Sequence, residues 1–178
     1  MKGGAAAIDR VPDGVDSLEW MKGVTLSDPS PGSPLVLDLS LESGLFRGAI
    51  IDGFLTLYHR KLMQILSEFK IENIQHFPVI LRDQETGKTE ETYVMVNIIG
   101  LIDCVDMDKS KVRWWPSGMG YDFESMYIDG SKVHGLHIFR LKDDPAKVII
   151  SEELKQHLET HKMLVGTKVI KTEDYSDW

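Results

Sequence analysis

The chain has 178 residues, of which 42% are hydrophobic and 27% are charged, and its 28 acidic and 20 basic residues give a net charge of -8 at pH 7. This composition is typical of one globular domain, and the acidic balance argues against nucleic acid as a partner, because such binding relies on neutralising phosphates. No run of 18 apolar residues and no signal-peptide pattern occurs, so we expect a cytoplasmic protein that does not bind a membrane.

The start of the chain is predicted to be a flexible N-terminal segment over residues 1–34. Gly3 and Gly4 precede a run of alanines, and three prolines and a glycine within residues 27–34 break helix and strand alike. Between these parts, residues 18–23 are predicted to form a short strand that docks Trp20. A single α+β domain is then expected over residues 35–171, followed by an acidic tail over residues 172–178.

The first half of that domain shows strand and helix patterns in turn. Residues 35–41 alternate in polarity in their second half, which predicts a half-buried strand, and residues 59–69 carry an apolar stripe at helical spacing, formed by Leu62, Ile65, Leu66 and Phe69. Residues 77–82 and 92–102 flank a polar loop, which is typical of a hairpin. The second of these strands is apolar on both faces except at Asn97, so we expect it to be central.

The second half continues with short strands and one more helix. Strands are predicted at residues 111–115, 123–128, 133–141, 148–150 and 167–171, with a tight turn of positive φ at Asp129 and Gly130. Ser151 is predicted to cap a helix from Glu152 to about residue 161. The expected fold is therefore α+β, with a mixed, mainly antiparallel sheet of about eight strands and two main helices.

A shift of 92 residues aligns the two predicted helices and raises the hypothesis of two pseudo-repeated strand-helix-strand units in one sheet. The identical pairs are Leu62 with Leu154, Gln64 with Gln156, Leu66 with Leu158 and Lys70 with Lys162. The alternative is chance similarity, because any two amphipathic helices share a periodic pattern.

The sequence contains no recognisable catalytic constellation. His134 and His137 have metal-ligand spacing, but the predicted strand would place their rings on opposite faces. A calcium loop starting at Asp106 would need glycine and glutamate where Lys111 and Ser117 stand. The single cysteine, Cys104, lies among apolar residues and is interpreted as a buried side chain. We therefore expect no catalytic residue, no metal and no cofactor.

Four blocks, taken in order and with their approximate spacing, resemble a known bacterial family. They are Phe77-Pro-Val, Val96-Asn-Ile-Ile-Gly-Leu-Ile-Asp-Cys-Val-Asp, Ile138-Phe-Arg-Leu and Val148-Ile-Ile-Ser-Glu-Glu-Leu-Lys-Gln-His-Leu. From about residue 35 to residue 169 the chain resembles immunity family eleven of the polymorphic toxin systems, first grouped as a domain of unknown function. The glycine- and alanine-rich start and the acidic tail have no counterpart in it. Arg140 and Ser151 fall on positions that look structural.

The resemblance implies a protein that binds a cognate toxin and silences it, without a reaction centre. If the toxin is a nuclease, an acidic face could occupy its basic substrate channel. Residues 101–130 hold six acids (Asp103, Asp106, Asp108, Asp122, Glu124 and Asp129) against three bases (Lys109, Lys111 and Arg113). The predicted partner-binding residues are Trp114, Trp115, Tyr121, Asp122, Glu124, Asp106 and Asp108. For any single acid, a solvated loop is the alternative.

The two tryptophans and the function each keep an alternative. Trp114 and Trp115 form either an exposed aromatic platform or, in the preferred interpretation, one buried and one partly covered side chain. An adaptor or regulatory protein that binds another bacterial protein would have the same sequence features. An enzyme would require a deep pocket with converging polar groups. The partner is expected to be a protein, and the chain to be a monomer or a homodimer.

Overall fold

Two α-helices and eleven strands form within residues 5–29, 33–41, 44, 46–53 and 55–177, the part of the chain that the computed structural model describes. The helices are α1 (Arg60–Glu68) and α2 (Glu152–Thr160). The strands are β1 (Leu35–Leu39), β2 (Ile50–Ile51), β3 (Leu57–His59), β4 (Ile74–Asp83), β5 (Thr89–Glu90), β6 (Tyr93–Ile98), β7 (Leu101–Ile102), β8 (Lys111–Trp114), β9 (Tyr121–Ser125), β10 (Ile138–Leu141) and β11 (Val148–Ile150).

The strands form three sheets in which most pairs are antiparallel, so the predicted α+β class is confirmed. The largest sheet has the order β1-β4-β6-β3-β2, with β5 added to β4. A second sheet has the order β11-β10-β7, and β8 and β9 form a separate hairpin. Among the strand pairs in the described part of the chain, only β1-β4 and β7-β10 are parallel. The structure has more strands than the predicted number of about eight. Three of them, β2, β5 and β7, have only two residues each, which is too short for a sequence pattern to indicate.

Strand β6 is buried on both faces and lies between β3 and β4, which confirms its predicted central position. One face of β6 packs against both helices. The contributing side chains are Val94, Val96 and Ile98 of β6, Leu62 and Leu66 of α1, and Leu154 and Leu158 of α2. On the other face, Tyr93 and Met95 pack with Trp20 and Phe77. A strand covered on both faces has no polar side, which explains its nearly continuous apolar sequence.

Both helices begin at a side-chain cap that their sequences supply. His59 Nδ1 accepts a hydrogen bond from the Lys61 amide at 3.1 Å, and the Ser151 hydroxyl accepts one from the Leu154 amide at 3.1 Å. Each helix has nine residues and is followed by a lysine of positive φ, which is Lys70 after α1 and Lys162 after α2. The predicted helices and the Ser151 cap are therefore confirmed.

The pseudo-repeat is not confirmed, although the two helices resemble each other locally. The first unit, β3-α1-β4, belongs to the six-stranded sheet, whereas β11 and α2 adjoin the three-stranded sheet. The strand predicted at residues 167–171 is wrong, because this segment pairs with no other strand in the described part of the chain. Phe54, with which the first copy begins, lies outside the described residues.

Three further local predictions are wrong in part. Residues 18–23 do not form a strand, since a 3₁₀ turn (Glu19–Met21) buries Trp20 instead. The strand predicted at residues 133–141 begins only at Ile138, because His134 and Gly135 adopt positive φ and form a turn. Gly130 does not adopt positive φ; it begins a 3₁₀ turn (Gly130–Lys132) that the Asp129 side chain caps.

Asn97, the polar interruption of β6, attaches the N-terminal segment to the sheet. Its side-chain amide donates to the Val24 carbonyl at 2.8 Å and to Gln75 Oε1 at 3.2 Å. The Gln75 amide group in turn bonds both backbone groups of Leu26, at 2.7 and 2.9 Å. The buried Asn97 and the half-buried Gln75 thus replace the water that the peptide groups of residues 24–26 would otherwise need. The predicted flexibility of residues 1–34 and the domain bounds remain predictions.

Trp20→Ala should lower the free energy of unfolding by about 3–5 kcal/mol, because it removes a large buried side chain from the core. Trp20 is 5% exposed and its ring meets that of Phe77 edge to face at 5.3 Å. The measurement is urea unfolding followed by circular dichroism. Leu18→Ala is the matched control, since Leu18 lies two residues away and is 66% exposed. Equal stability of the two variants would mean that the segment adds nothing to the core.

Candidate functional site

Three of the predicted partner-binding residues, Trp114, Trp115 and Tyr121, meet at the end of the β8-β9 hairpin. Trp114 lies opposite Tyr121 in the strand register, and residues 115–120 form the connecting loop. The Trp115 amide donates to the Gly120 carbonyl and the Gly118 amide to the Trp115 carbonyl, both at 2.9 Å. These two hydrogen bonds hold the loop, and Gly118 supplies its positive φ of 68°.

One face of the hairpin is a row of aromatic rings that leads from the core to the loop. Phe123 is buried in a core with Cys104, Met126 and Phe139. The Tyr121 ring meets Phe123 edge to face at 5.3 Å, and the Trp114 ring meets Tyr121 at 5.0 Å. Residues at alternate positions of a strand share a face. The ring contacts therefore attach the exposed end of the β8-β9 hairpin to the buried core.

Tyr121 also anchors the hairpin to the loop after β10. Its hydroxyl donates to Asp143 Oδ1 at 2.5 Å. Burial, together with the Asp143 hydrogen bond and carboxylate charge, raises the pKa of Tyr121 to about 12. Asp143 was not predicted as a site residue, and no local sequence pattern indicates it, since it lies 22 positions from Tyr121.

The end of the hairpin is strongly exposed and apolar. Trp114 is 58% exposed, Trp115 49% and Met119 86%; we call these three residues the aromatic tip. The preferred interpretation, in which one tryptophan is buried, is therefore wrong, and the exposed alternative describes both side chains. The reason is tertiary: β8 and β9 pair only with each other in the described part of the chain, so no second sheet layer covers their outer end. Met119 was missed, although its position between two loop glycines was a signal.

Most of the acidic side chains in residues 101–130 pair with a basic side chain, so the negative charge of this region is smaller than their number suggests. Ion pairs within 4.0 Å join Asp103 to Lys142, Asp106 to Lys109, Asp122 to Arg113 and Asp129 to Lys132. The hydrogen bond from Lys109 holds the pKa of Asp106 below its usual value, and Lys142 does the same for Asp103. Among the described residues, only Asp108 and Glu124 of this set form no ion pair. Surface ion pairs of this kind contribute little to stability and reduce the local negative field.

The structure separates the predicted acids from the aromatic tip. Asp122 lies between Tyr121 and Phe123 in the strand and points to the opposite face of the ribbon, where it pairs with Arg113. Glu124 is exposed at an irregularity in the register. Asp106 and Asp108 lie in a turn before β8. That turn contacts the hairpin through Met107, whose sulfur is 4.0 Å from the Tyr121 hydroxyl.

Neither a cluster of metal-ligating side chains nor a membrane-spanning helix occurs among the described residues. His134 is exposed, whereas His137 Nδ1 lies 2.8 Å from the Ser151 hydroxyl, so the two rings do not form a pair. No three His, Cys, Asp or Glu side chains in the described ranges lie close enough together to hold a metal ion. None of the helices described is long and apolar enough to cross a bilayer.

Burial raises the pKa of the Cys104 thiol to about 11, with the negative charges of Asp143 and Asp103 acting in the same direction.

Gly120→Ala should displace the Trp115 ring, because an added Cβ at position 120 would lie 2.6 Å from that ring. The φ of Gly120 is not left-handed, so the effect comes from lack of space rather than from backbone strain. The measurement is the chemical shift of the Trp115 indole N-H. Gly130→Ala is the control, since nothing lies within 4 Å of its added Cβ. An unchanged indole signal in Gly120→Ala would show that the ring does not rest on Gly120.

Asp143→Asn should lower the pKa of Tyr121 from about 12, because it removes the carboxylate charge, while burial keeps the pKa above the ordinary value of 10.0. In the wild type the folded-state pKa is the higher one, so this contribution to stability is present below pH 10 and is lost as pH rises toward 12. The measurement is a pH titration of tyrosine ring carbons by NMR. Asp108→Asn, which leaves the Tyr121 hydrogen bond intact, should not change this pKa.

Part of the chain also matches the model of a known protein family. The model of an immunity protein family, Imm11, matches residues 47–173. This range contains both helices, the hairpin and the strands from β2 to β11. It leaves out β1 and the segment that carries Trp20. No curated protein matches the chain.

Proposed function

We propose that this chain, which belongs to the immunity protein family Imm11, neutralises a cognate toxin by binding it directly through the β8-β9 hairpin. The family match extends over more than half of the chain and supports a toxin-neutralising immunity function. The observation that carries the finer proposal is the exposure of Trp114 and Trp115 on a hairpin anchored to the core.

The aromatic tip has the composition of an interface centre. Tryptophan and methionine are enriched at protein interfaces, and tryptophan is among the residues whose removal weakens binding most. Met119 adds a flexible apolar side chain next to the two rigid rings. An apolar patch that a folded protein keeps in water gains free energy when a partner covers it. The patch therefore favours a protein partner over a charged small molecule.

The hairpin is also held in shape before any partner binds. The contacts from Phe123 to Tyr121 to Trp114 and the hydrogen bond from Tyr121 to Asp143 fix the ribbon, and the Trp115 ring rests against Gly120. Binding by a preorganised surface loses less conformational entropy than binding by a mobile loop. This geometry is consistent with tight binding rather than with a transient contact.

The acidic residues have a secondary part in the proposal. If the toxin is a nuclease, its basic substrate channel would attract a protein of net charge -8. Asp106 and Asp122 already pair with bases of this chain, so Asp108 and Glu124 are the carboxylates available to a basic partner. Charges at the rim of an interface act mainly on the association rate and on its salt dependence. We propose that the aromatic tip supplies most of the binding affinity and that Asp108 and Glu124 increase the rate of association.

Binding rather than catalysis is supported by the family match and by the exposed apolar composition of the aromatic tip. An adaptor that binds a different bacterial protein would use the same kind of surface. The identity of the partner therefore separates the two functions. We propose that the cognate toxin is encoded by a gene beside that of this chain, and binding of that gene's product is the decisive test.

Trp115→Ala and Trp114→Ala should each weaken binding of that toxin by about 30-fold or more, the effect of an interface hot spot. The measurement is isothermal titration calorimetry with the purified toxin domain. Leu18→Ala is the control, because Leu18 is 66% exposed and lies outside the hairpin. The double variant Asp108→Asn with Glu124→Gln should slow association at low salt and leave dissociation nearly unchanged.

Two results would contradict these proposals in different ways. Unchanged affinity in both tryptophan variants, with circular dichroism showing intact folds, would remove the hairpin from the interface and leave the immunity function standing. Absence of any binding between the wild-type chain and the neighbouring toxin would instead favour the adaptor function.

A further inference from the structure

The outer edge of β11 carries peptide groups without a partner. The Leu141 amide donates to the Lys147 carbonyl at 3.1 Å, and the Ser151 amide donates to the His137 carbonyl at 2.9 Å. With the register that places Phe139 opposite Ile149, these bonds direct the peptide groups of residues 147, 149 and 151 toward β10. In an antiparallel pair the intervening residues point the other way. The N-H and C=O groups of Val148 and Ile150 therefore face away from the sheet.

No described residue satisfies these four groups. The three-stranded sheet ends at β11, and no hydrogen bond from the described part of the chain reaches the backbone of Val148 or Ile150. Folded proteins usually cover or blunt an edge of this kind, because unpaired N-H and C=O groups form a template for another strand. Val148, at 37% exposed, carries no charge that would repel such a strand.

An apolar cavity of about 590 Å³ opens beside this edge. Its apolar walls include Leu62, Leu158 and Ile138, and its far side is formed by residues 166–170. The volume lies in the range of about 300–1,000 Å³ that is typical of ligand sites. Residues 168–170, which the sequence predicted to be in a strand, have no backbone hydrogen bond to a described residue. Unpaired main chain thus stands on both sides of the cavity.

Three charged side chains line the cavity, and one of them, the Asp52 carboxylate, already accepts a hydrogen bond from the Thr56 hydroxyl at 2.9 Å. Lys147 lies at its rim, but its ammonium group already contacts Asp144 and Asp177, and those hydrogen bonds keep the pKa of Lys147 above its usual value despite burial. Lys168 is exposed on the opposite side and forms no ion pair with a described residue. A segment that ends in a carboxylate beside Lys168 would complement this side. The apolar walls would take its alternate side chains.

We propose that β11 and this cavity bind an extended segment of the partner protein by strand addition. Main-chain hydrogen bonds to Val148 and Ile150 supply affinity, and the apolar walls select alternating apolar side chains followed by an acidic residue. The inference rests on the proposed function, because the partner is the toxin that the hairpin binds. Met126, which follows the last residue of β9, lines the cavity, so the cavity lies at the inner end of the hairpin, whose outer end carries the aromatic tip.

Val148→Pro tests the inference at the backbone itself. Proline removes the outward N-H of residue 148 and is tolerated on an edge strand whose N-H faces solvent, so the bonds between β11 and β10 remain. We expect at least about tenfold weaker toxin binding, whereas Val148→Ala, which keeps the N-H, should bind within about threefold of the wild type. Circular dichroism and thermal unfolding establish that each variant is folded.

Hydrogen exchange provides a second readout that needs no variant. In the wild-type complex with the toxin domain, the amides of Val148 and Ile150 should exchange at least about tenfold more slowly than in the free chain, because they become hydrogen-bonded. Slow exchange of both amides in the free chain would mean that residues 167–171 already cover the edge, and would overturn the inference.

The possible failures are distinguishable. If the wild type binds toxin, but Val148→Pro binds equally well and the two amides gain no protection, strand addition is overturned while the immunity function stands. If the wild type does not bind the toxin at all, the proposed function is overturned and the inference falls with it. Loss of affinity in Val148→Ala as large as in Val148→Pro would show that the side chain, not the backbone, makes the contact, and would also overturn strand addition.

Discussion

The burial of β6 on both faces is the constraint on which the rest of the structure depends. One face of this strand needs the two helices, and the other needs Trp20 and Phe77, so neither layer alone would keep its apolar residues from water. The antiparallel neighbours β3 and β4 satisfy its backbone. Because the hydrophobic contribution grows with the area removed from water, the two layers are stabilised through the same six residues.

A single buried amide links this strand to the N-terminal segment. Asn97 Nδ2 donates to Gln75 Oε1 within the sheet and to the Val24 carbonyl outside it, whereas Asn97 Oδ1 is buried and accepts no hydrogen bond from the described residues. Gln75, its register partner on β4, and the peptide groups of residues 24–26 satisfy the donors of both amides. Buried donors bonded in this way favour one arrangement of the chain over others, because an alternative packing would leave these donors unpaired. The covering layer is thus fixed in position as well as attached.

The β8-β9 hairpin is organised on a different principle from the sheet. Its inner end is part of a core that contains Cys104 and Phe139, and its outer end keeps apolar rings in water. Such exposure is unfavourable for an isolated domain and is understandable in a protein whose partner covers it. The open edge of β11 has the same character at the level of the backbone. Both features lie within the range that matches the immunity family.

Much of the fold could be predicted because it is encoded by patterns that act locally. The stripe of Leu62, Ile65 and Leu66 and the Ser151 cap each define a helix within a few residues. The doubly apolar run of β6 is likewise sufficient to predict a central strand. The wrong predictions concern segments whose outcome depends on a distant partner. Residues 167–171 have strand composition, but none of the strands that the structure describes pairs with them.

The candidate site, too, was predicted in part from the sequence, while the rest depends on the tertiary structure. The sequence by itself determined that aromatic and acidic residues are concentrated between residues 101 and 130, and that the chain resembles an immunity family. Only the tertiary structure decided which of these side chains are available. It paired Asp106 and Asp122 with nearby bases, turned Asp122 away from the aromatic face, and left Trp114 and Trp115 uncovered. The reason is that exposure and ion pairing depend on which elements pack together, and Asp143, 22 positions away, takes part in holding the hairpin.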